Sequence, residues 1–323
     1  MKRIRLGLID LGYRENVDAL TSIEEIIEYV VIAEKLGFYR FWLAEHHYYH
    51  FKSHPFTVPD VLIGLLAGMT DDIRIGSAGT AISLHSPYVV VTNYKLLNNL
   101  FNGRISLGLS KGVAESMETN YMINRNLNTN NSILFFRENL ARISDLIENE
   151  EFNLNNFNIL IPPYAGLKPE LWYLTTSFKN YVDAVQYKTN YCISIFHNFN
   201  QDIDNLPFNK EDIINFRSAF FKRHNYYPEI AISLAIILKN TMEEALSEWH
   251  EIMDDFSKND GSQSFIVIPC TPDSLYSRLV NYLNEFEISE FIIYDTAPSN
   301  EEKVNNIKKI SKVFNLLKET NYE

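Results

Sequence analysis

The stretch RFWLAEHHYYH, Arg40 to His50, decides how this chain is read. Phe41, Trp42, Leu43 and Ala44 form a short apolar run, and the helix-like segment before it stops at Gly37. A run of that length with that boundary predicts a strand buried on both faces. Glu45, His46 and His47 follow at once, which puts them at the strand's carboxyl end. In parallel α/β sheets and barrels that edge collects ligands and catalytic groups. A glutamate and two histidines there supply proton transfer near neutral pH, or they tie the loop together by hydrogen bonds. Position alone leaves both readings open.

Working outward, apolar runs alternate with amphipathic segments of helical length. Strand one is expected at Ile4–Ile9, followed by a helix over Ser22–Leu36 with Ser22 and Glu25 as a capping box. Strand two is Phe41–Ala44, and a helix over Pro59–Met69 follows it. Strand three is read at Ile73–Ile82, with the small residues Gly76, Ala78 and Gly79 inside it, and a helix opens at Pro87. Strand four, Arg104–Leu109, ends in Ser110-Lys111-Gly112 and gives way to a polar excursion over Val113–Asn131. A helix over Ser132–Glu148 leads to strand five, Leu171–Leu174, and strand six, Tyr191–Phe196. A helix over Glu211–His224 precedes strand seven, Ile230–Leu238, and the next helix starts after Thr241 with Glu244 completing a capping box. An extra segment, Phe265–Ile268 and then a helix over Pro272–Phe286, precedes strand eight, Phe291–Tyr294, and a closing helix over Glu301–Leu317. Eight strands alternating with helices predict a single domain, 1–323, folded as a (β/α)8 TIM barrel with an excursion after strand four and an extra segment before strand eight. A doubly wound open sheet is the competing architecture, but no GxGxxG follows the first strand.

Composition narrows the function. Hydrophobic residues make up 46% and charged residues 22% of 323, ordinary for a chain that buries a large core. A net charge of -12 argues against a nucleic-acid partner, which needs a basic patch. No apolar run reaches the ~20 residues that span a bilayer, and MKRIRLGLID reads as a first strand instead of a signal peptide. Cys192 and Cys270 sit in apolar runs and read as buried reduced thiols, which suits the cytoplasm. No ligand pair has metal-site spacing, so no metal is expected.

Four segments in order carry a resemblance. FWLAEHH (41–47), IRIGSAGTAISLHSPYVVV (73–91), NGRISLGLSKG (102–112) and CTPDSLYSRLVNYLNEFEISEFIIYD (270–295) resemble the strand-two, strand-three, strand-four and last-strand signatures of the bacterial luciferase-like flavin oxidoreductases. The resemblance implies FMN, or a deazaflavin, bound across the carboxyl face of the barrel. His46 matches the histidine of acid–base chemistry beside the flavin ring, with Glu45 next to it. Gly79 and Thr80 match the small segment under the ring, and His85 matches a polar site on the same rim. Lys111 stands where the family usually has arginine, keeping the charge but losing the bidentate fork. Thr175, Thr176 and Ser177 stand where many members carry Gly-Ser-Ser, so hydroxyls and amides at a helix start are expected to hold the phosphate, and Thr176 or Ser177 also to cap the helix near Phe178.

The substrate pocket is expected to draw on Tyr48, Tyr49, Phe51, Phe196, His197 and Phe199. These aromatics suit a flat or apolar small molecule, and a modified peptide also fits. The residues do not separate oxygenation from reduction; the activity that the resemblance implies first is a monooxygenase using reduced FMN and oxygen, with a flavin reductase as the supplier of reduced FMN. The alternatives are a flavin- or deazaflavin-dependent reductase of a C=C or C=N bond, such as a dehydroamino acid, and a non-catalytic flavin-binding partner subunit. The resemblance implies a dimer built from the helices after strands two and three, and the sequence offers surplus apolar positions there in Val58, Val61, Leu62, Leu65, Tyr88, Val89, Val91 and Leu96; a homodimer is expected, with a luciferase-like heterodimer as the alternative.

Overall fold

The computed structural model describes residues 3–14, 16–50, 52–127, 131–197, 206–258 and 267–317. Its strands are β1 (Arg5–Asp10), β2 (Arg40–Leu43), β3 (Arg74–Ser77), β4 (Thr80–Ala81), β5 (Ile105–Ser110), β6 (Glu170–Thr175), β7 (Asn190–Ser194), β8 (Ile230–Leu238), β9 (Val267–Cys270) and β10 (Glu290–Asp295). Its helices are α1 (Ala19–Lys35), α2 (Asp60–Gly68), α3 (Pro87–Leu100), α4 (Met117–Ile123), α5 (Ser132–Glu148), α6 (Glu150–Phe157), α7 (Tyr181–Gln186), α8 (Lys210–His224), α9 (Met242–Lys258), α10 (Pro272–Phe286) and α11 (Asn300–Phe314).

All strand pairs are parallel, in the order β10-β1-β2-β3-β5-β6-β7-β8, and β10 pairs back to β8 to close an eight-stranded TIM barrel. β9 is not a barrel stave. β8 offers β10 its residues 231–236 on one edge, while β7 takes 230–233 and β9 takes 235–238. The last two ranges do not overlap, so β9 continues the β7 edge beyond Ser233 and builds up the carboxyl rim.

Strand alternation assigns two layers of core. Leu6 and Leu8, Phe41 and Leu43, Ile105, Leu107 and Leu109, and Phe291 and Ile293 face the helices in one large cluster. Ile9, Trp42, Ala44, Trp172, Cys192, Ala231 and Ile292 face the barrel axis in a smaller one. Trp42 and Trp172 meet edge-on at 5.4 Å and fill the middle of the barrel, so it is a packed core with a floor and not a pore.

Three expectations need correction. The first helix starts a turn before Ser22: Asp18 is its cap, accepting from the Leu20 and Thr21 amides, and Ser22 is buried inside the helix. The long third strand divides into β3 and β4 at Ala78–Gly79, a cis peptide. The polar excursion contains α4, capped by Ser116, which accepts from the Thr119 amide. Thr241 and Glu244 do exchange side-chain bonds to each other's amides at the start of α9, as the pattern required. Of the extra segment, Phe265 lies outside the described residues.

Candidate active site

The carboxyl ends of β1 to β8 surround a cavity of about 270 Å³, near the lower end of the range for small-molecule sites. Ile9, Trp42 and Cys192 form its floor, and Ala78, Gly79, Ala81, Gly112 and Leu174 give it a wall of small and apolar groups. Around them stand His46, His47, Tyr48, Ser110, Thr175, Thr176, Ser194, Phe196, His197 and Ser233, with Glu115 among the lining residues as well. No lysine or arginine lines it among the described residues.

Gly79 is required by packing against its neighbours. A Cβ there would come within 2.4 Å of Leu174 Cδ1 and 2.9 Å of the Gly108 carbonyl oxygen. The residue that would lie under a flat ligand is therefore held against the inner strand by backbone contact, and only glycine fits.

Glu45 organises the polar side of the cavity. Its Oε1 takes bonds from His47 Nε2 at 2.6 Å and His85 Nε2 at 2.7 Å, and its Oε2 accepts the Ala81 amide at 2.9 Å. Burial pushes the carboxyl up, but those three donors outweigh it and hold it at about 2. Glu45 is thus an anion at neutral pH and accepts only, so both Nε2 atoms carry hydrogens. In His85, burial opposes the charged form, while Glu45 and the nearby Asp60 overcome it and raise the imidazole above its usual value.

His46 is treated differently. It has no carboxylate bond; it stacks on Tyr48 with centroids 4.9 Å apart and rings 11° from parallel. Burial, then the proximity of His197 and His54, lowers it to about 4 against a smaller opposing pull from Glu45. Burial alone lowers His197 to about 4 as well, and its Nδ1 lies 2.5 Å from Ser194 Oγ. Two neutral imidazoles therefore face the cavity at pH 7.

Glu45, His47 and His85 also form a grouping of metal-ligand type, their ligand atoms within 4.8 Å of one another. Two ligands on a zinc-like ion with bonds of about 2.0–2.2 Å sit roughly 3 Å or more apart. The 2.6 and 2.7 Å separations onto one oxygen are hydrogen-bond lengths, and the triad is a hydrogen-bonded one.

The residues singled out from sequence fall into groups. Glu45, His46, Tyr48, Gly79, Thr175, Thr176, Phe196 and His197 line the cavity. Thr80 does not; its hydroxyl turns inward to Ser77 Oγ at 3.0 Å and Tyr94 OH at 3.2 Å. His85 stands behind Glu45, and Tyr49 is exposed outside the cavity. Lys111 is exposed, one step past β5, at the level of Thr175 by the register Leu109↔Tyr173. Ser177 caps the 3-10 turn at Phe178–Asn180, and its carbonyl accepts from Thr175 Oγ1 and Tyr191 OH. Phe51 and Phe199 lie outside the described residues. The bond between Glu45 and His47, and the recruitment of His85 from 40 residues away, were not visible in sequence. The inward positions Ser110, Cys192, Ser194 and Ser233 were visible as period-two alternation along their strands.

The profile of the luciferase-like monooxygenase family matches residues 8–295, and the chain belongs to that family. A luciferase-like monooxygenase of Escherichia coli (strain K12) is 30% identical over 177 residues, 54% of this chain and 51% of the relative, so this match spans about half of the relative's length. The N-acetyl-S-alkylcysteine monooxygenase of Bacillus subtilis (strain 168) is 22% identical over 329 residues, 93% of this chain and 95% of the relative. Among solved structures, apo-MsnO8 superposes over 98% of this chain and 99% of its own with a TM-score of 0.78 at 20% identity. The oxygenating constituent of 3,6-diketocamphane monooxygenase from Pseudomonas putida, in complex with FMN, gives 0.67 at 16% over 97% and 98%. An F420-dependent secondary alcohol dehydrogenase gives 0.68 at 12% over 97% and 99%. At these identities the structures share the fold. No described helix is long and apolar enough to cross a membrane.

Proposed function

We propose that the chain is a flavin-dependent monooxygenase that uses reduced FMN and oxygen on an uncharged, largely apolar substrate. The observation that carries this reading is the cavity itself: a slot walled by Ala78, Gly79 and Leu174, floored by Trp42 and Cys192, at the carboxyl mouth of a barrel in this family. The small wall fits a flat ring, and the donors fit its polar end. Lys111 and the hydroxyls of Thr175 and Thr176 stand at one level of the rim, where a phosphate would reach them. When bound, the cofactor supplies the redox chemistry with oxygen.

The chain's own residues then have distinct tasks. Tyr48 holds the His46 ring by stacking, and His46 presents a neutral imidazole. The apolar walls and the Trp42–Trp172 floor keep water from the reacting face. The absence of cations from the described lining disfavours carboxylate and phosphate substrates.

Mixing anaerobically reduced, FMN-loaded protein with oxygen in a stopped-flow spectrometer tests this reading. A protein-dependent absorbing phase, absent from free reduced FMN, is expected. Oxidation indistinguishable from free flavin, with stoichiometric reduction of an added unsaturated acceptor, would make the chain a reductase instead.

The exposed faces of α2 and α3 support a homodimer as part of this proposal. Val61 is 88% exposed and Leu65, Tyr88, Val89 and Leu96 are also exposed, whereas Leu62 and Val91 are spent on the barrel. Val61→Glu is expected to convert a dimer to monomer in light scattering; an unchanged mass would remove this face from the interface.

A further inference from the structure

We propose that Glu45, His47 and His85 work as one proton-exchange unit, in which uptake of a proton from the cavity by His47 is coupled to release of a proton from His85 to solvent. The inference rests on the cavity being the reaction site, and it names the group that exchanges protons with it.

Both imidazoles donate Nε2–H to the same Glu45 oxygen. The proton that each can gain or lose is therefore on Nδ1, and neither Nδ1 has a hydrogen-bond partner among the described residues. The two ends differ in access. His47 lines the cavity with its side chain 6% exposed, while His85 stands outside the lining at 19%. The ring centroids are 6.4 Å apart, close enough that two imidazolium charges repel.

One carboxylate can neutralise one imidazolium. With His85 charged, His47 is neutral and its Nδ1 lone pair is a base toward the cavity. When His47 takes a proton there, Glu45 balances the new charge only if His85 gives up its own. The unit then has one proton added at His47 Nδ1 and one lost at His85 Nδ1, with its net charge unchanged. No proton passes through the carboxylate, and the reverse exchange makes His47 an acid. His46 makes no bond to Glu45 and, held low by burial, stays neutral.

The groups facing the unit set its balance. Asp60 at the start of α2 favours the charged form of His85 and is itself bonded by Tyr94 OH of α3 at 3.0 Å and by Asn93 at 3.2 Å. The other imidazoles near His47 are His46, which lines the cavity, and His54, which feels His47 as a like charge. The arrangement therefore sites the charge on His85 at rest.

The full chain, labelled with 15N-histidine and free of cofactor, allows a direct test by NMR from about pH 5 to 9, the range in which histidines change charge. In His85→Gln, which keeps a donor for Glu45 but cannot carry charge, the charged form of His47 is expected to persist to higher pH than in the unaltered chain. In Asp60→Asn, which touches neither ring, His85 is expected to lose its proton at lower pH. Identical His47 titration with and without His85 would overturn the coupling. In the reconstituted enzyme, His47→Ala is expected to lower turnover about 10²–10⁴-fold, and His85→Gln to shift the pH profile of turnover. An unmoved profile would reduce His85 to a structural role. Because the titration needs no cofactor, it stands or falls separately from the flavin reading.

Discussion

At the amino end of the barrel, Arg40 lies 1% exposed under the two tryptophans, and every charge around it is answered. Its Nε bonds Glu290 at 2.7 Å, its Nη1 reaches Ser106 Oγ at 3.1 Å and Glu170 at 3.3 Å, and Arg5 and Arg74 pair with the same two glutamates. At the carboxyl end, a comparable density of polar groups is answered incompletely. One carboxylate serves two histidines, and two further imidazoles are held neutral by burial. The first end pairs each cation with a carboxylate, so it stabilises; the second keeps titratable nitrogens near a cavity, which stability alone does not require.

The largest effect should come from breaking the complete end. Glu290→Ala leaves Arg40 buried without its nearest anion, and losing one partner of a buried pair costs about 3–5 kcal/mol. Chemical denaturation should show a loss of that size, with the cavity groups still titrating as before. A loss under 1 kcal/mol would mean that Glu170 suffices and the two ends are not so different.

Acid should act on the other end. His46 and His197 are held at about 4, below the ~6.5 of an unfolded histidine. Between those values the unfolded chain binds protons that the folded chain refuses, so stability falls as pH falls from about 6.5 to 4. Glu45, held at about 2, adds a further loss as pH drops below about 4.5, because its stabilising bonds need the anion. His85 works in the opposite sense: its contribution is complete below about 6.5 and is lost as pH rises through its raised value. Thermal melts of His46→Gln against the unaltered chain should show a shallower loss across pH 6.5 to 4, as expected when one such histidine is removed. Parallel curves would assign the acid sensitivity elsewhere.

How far these two ends were legible follows from the range of the interactions. The barrel could be read because its strands are short apolar runs such as Phe41–Ala44 and Ile230–Leu238, a local signal. The floor and walls were not read from the sequence, although alternation along the placed strands carries the signal for them. The complete end was not legible: Arg40, Glu290 and Glu170 are 250 and 130 residues apart, and only closure of the sheet brings them together. At the cavity, Glu45 and the histidines were found as candidates, but which histidine meets the glutamate depends on the turn after β2. That turn directs His47 to the carboxylate and stacks His46 on Tyr48, which adjacency in sequence could not reveal. Thr80 likewise shared a segment with Gly79 yet turns its hydroxyl away, because successive residues face opposite sides.

A smaller effect sharpens the cavity's rim. Lys111 is exposed, so Lys111→Ala should weaken FMN only about tenfold, near 1.4 kcal/mol. Unchanged affinity would move the phosphate off this side of the rim.

The most direct measurement is equilibrium titration of the full chain with FMN and, separately, with a deazaflavin, followed by the fluorescence of the ring. One saturable site per chain is expected, with emission altered by Trp42 and the cavity wall. Failure of both cofactors to bind to the folded chain in oxidised or reduced form would contradict the account.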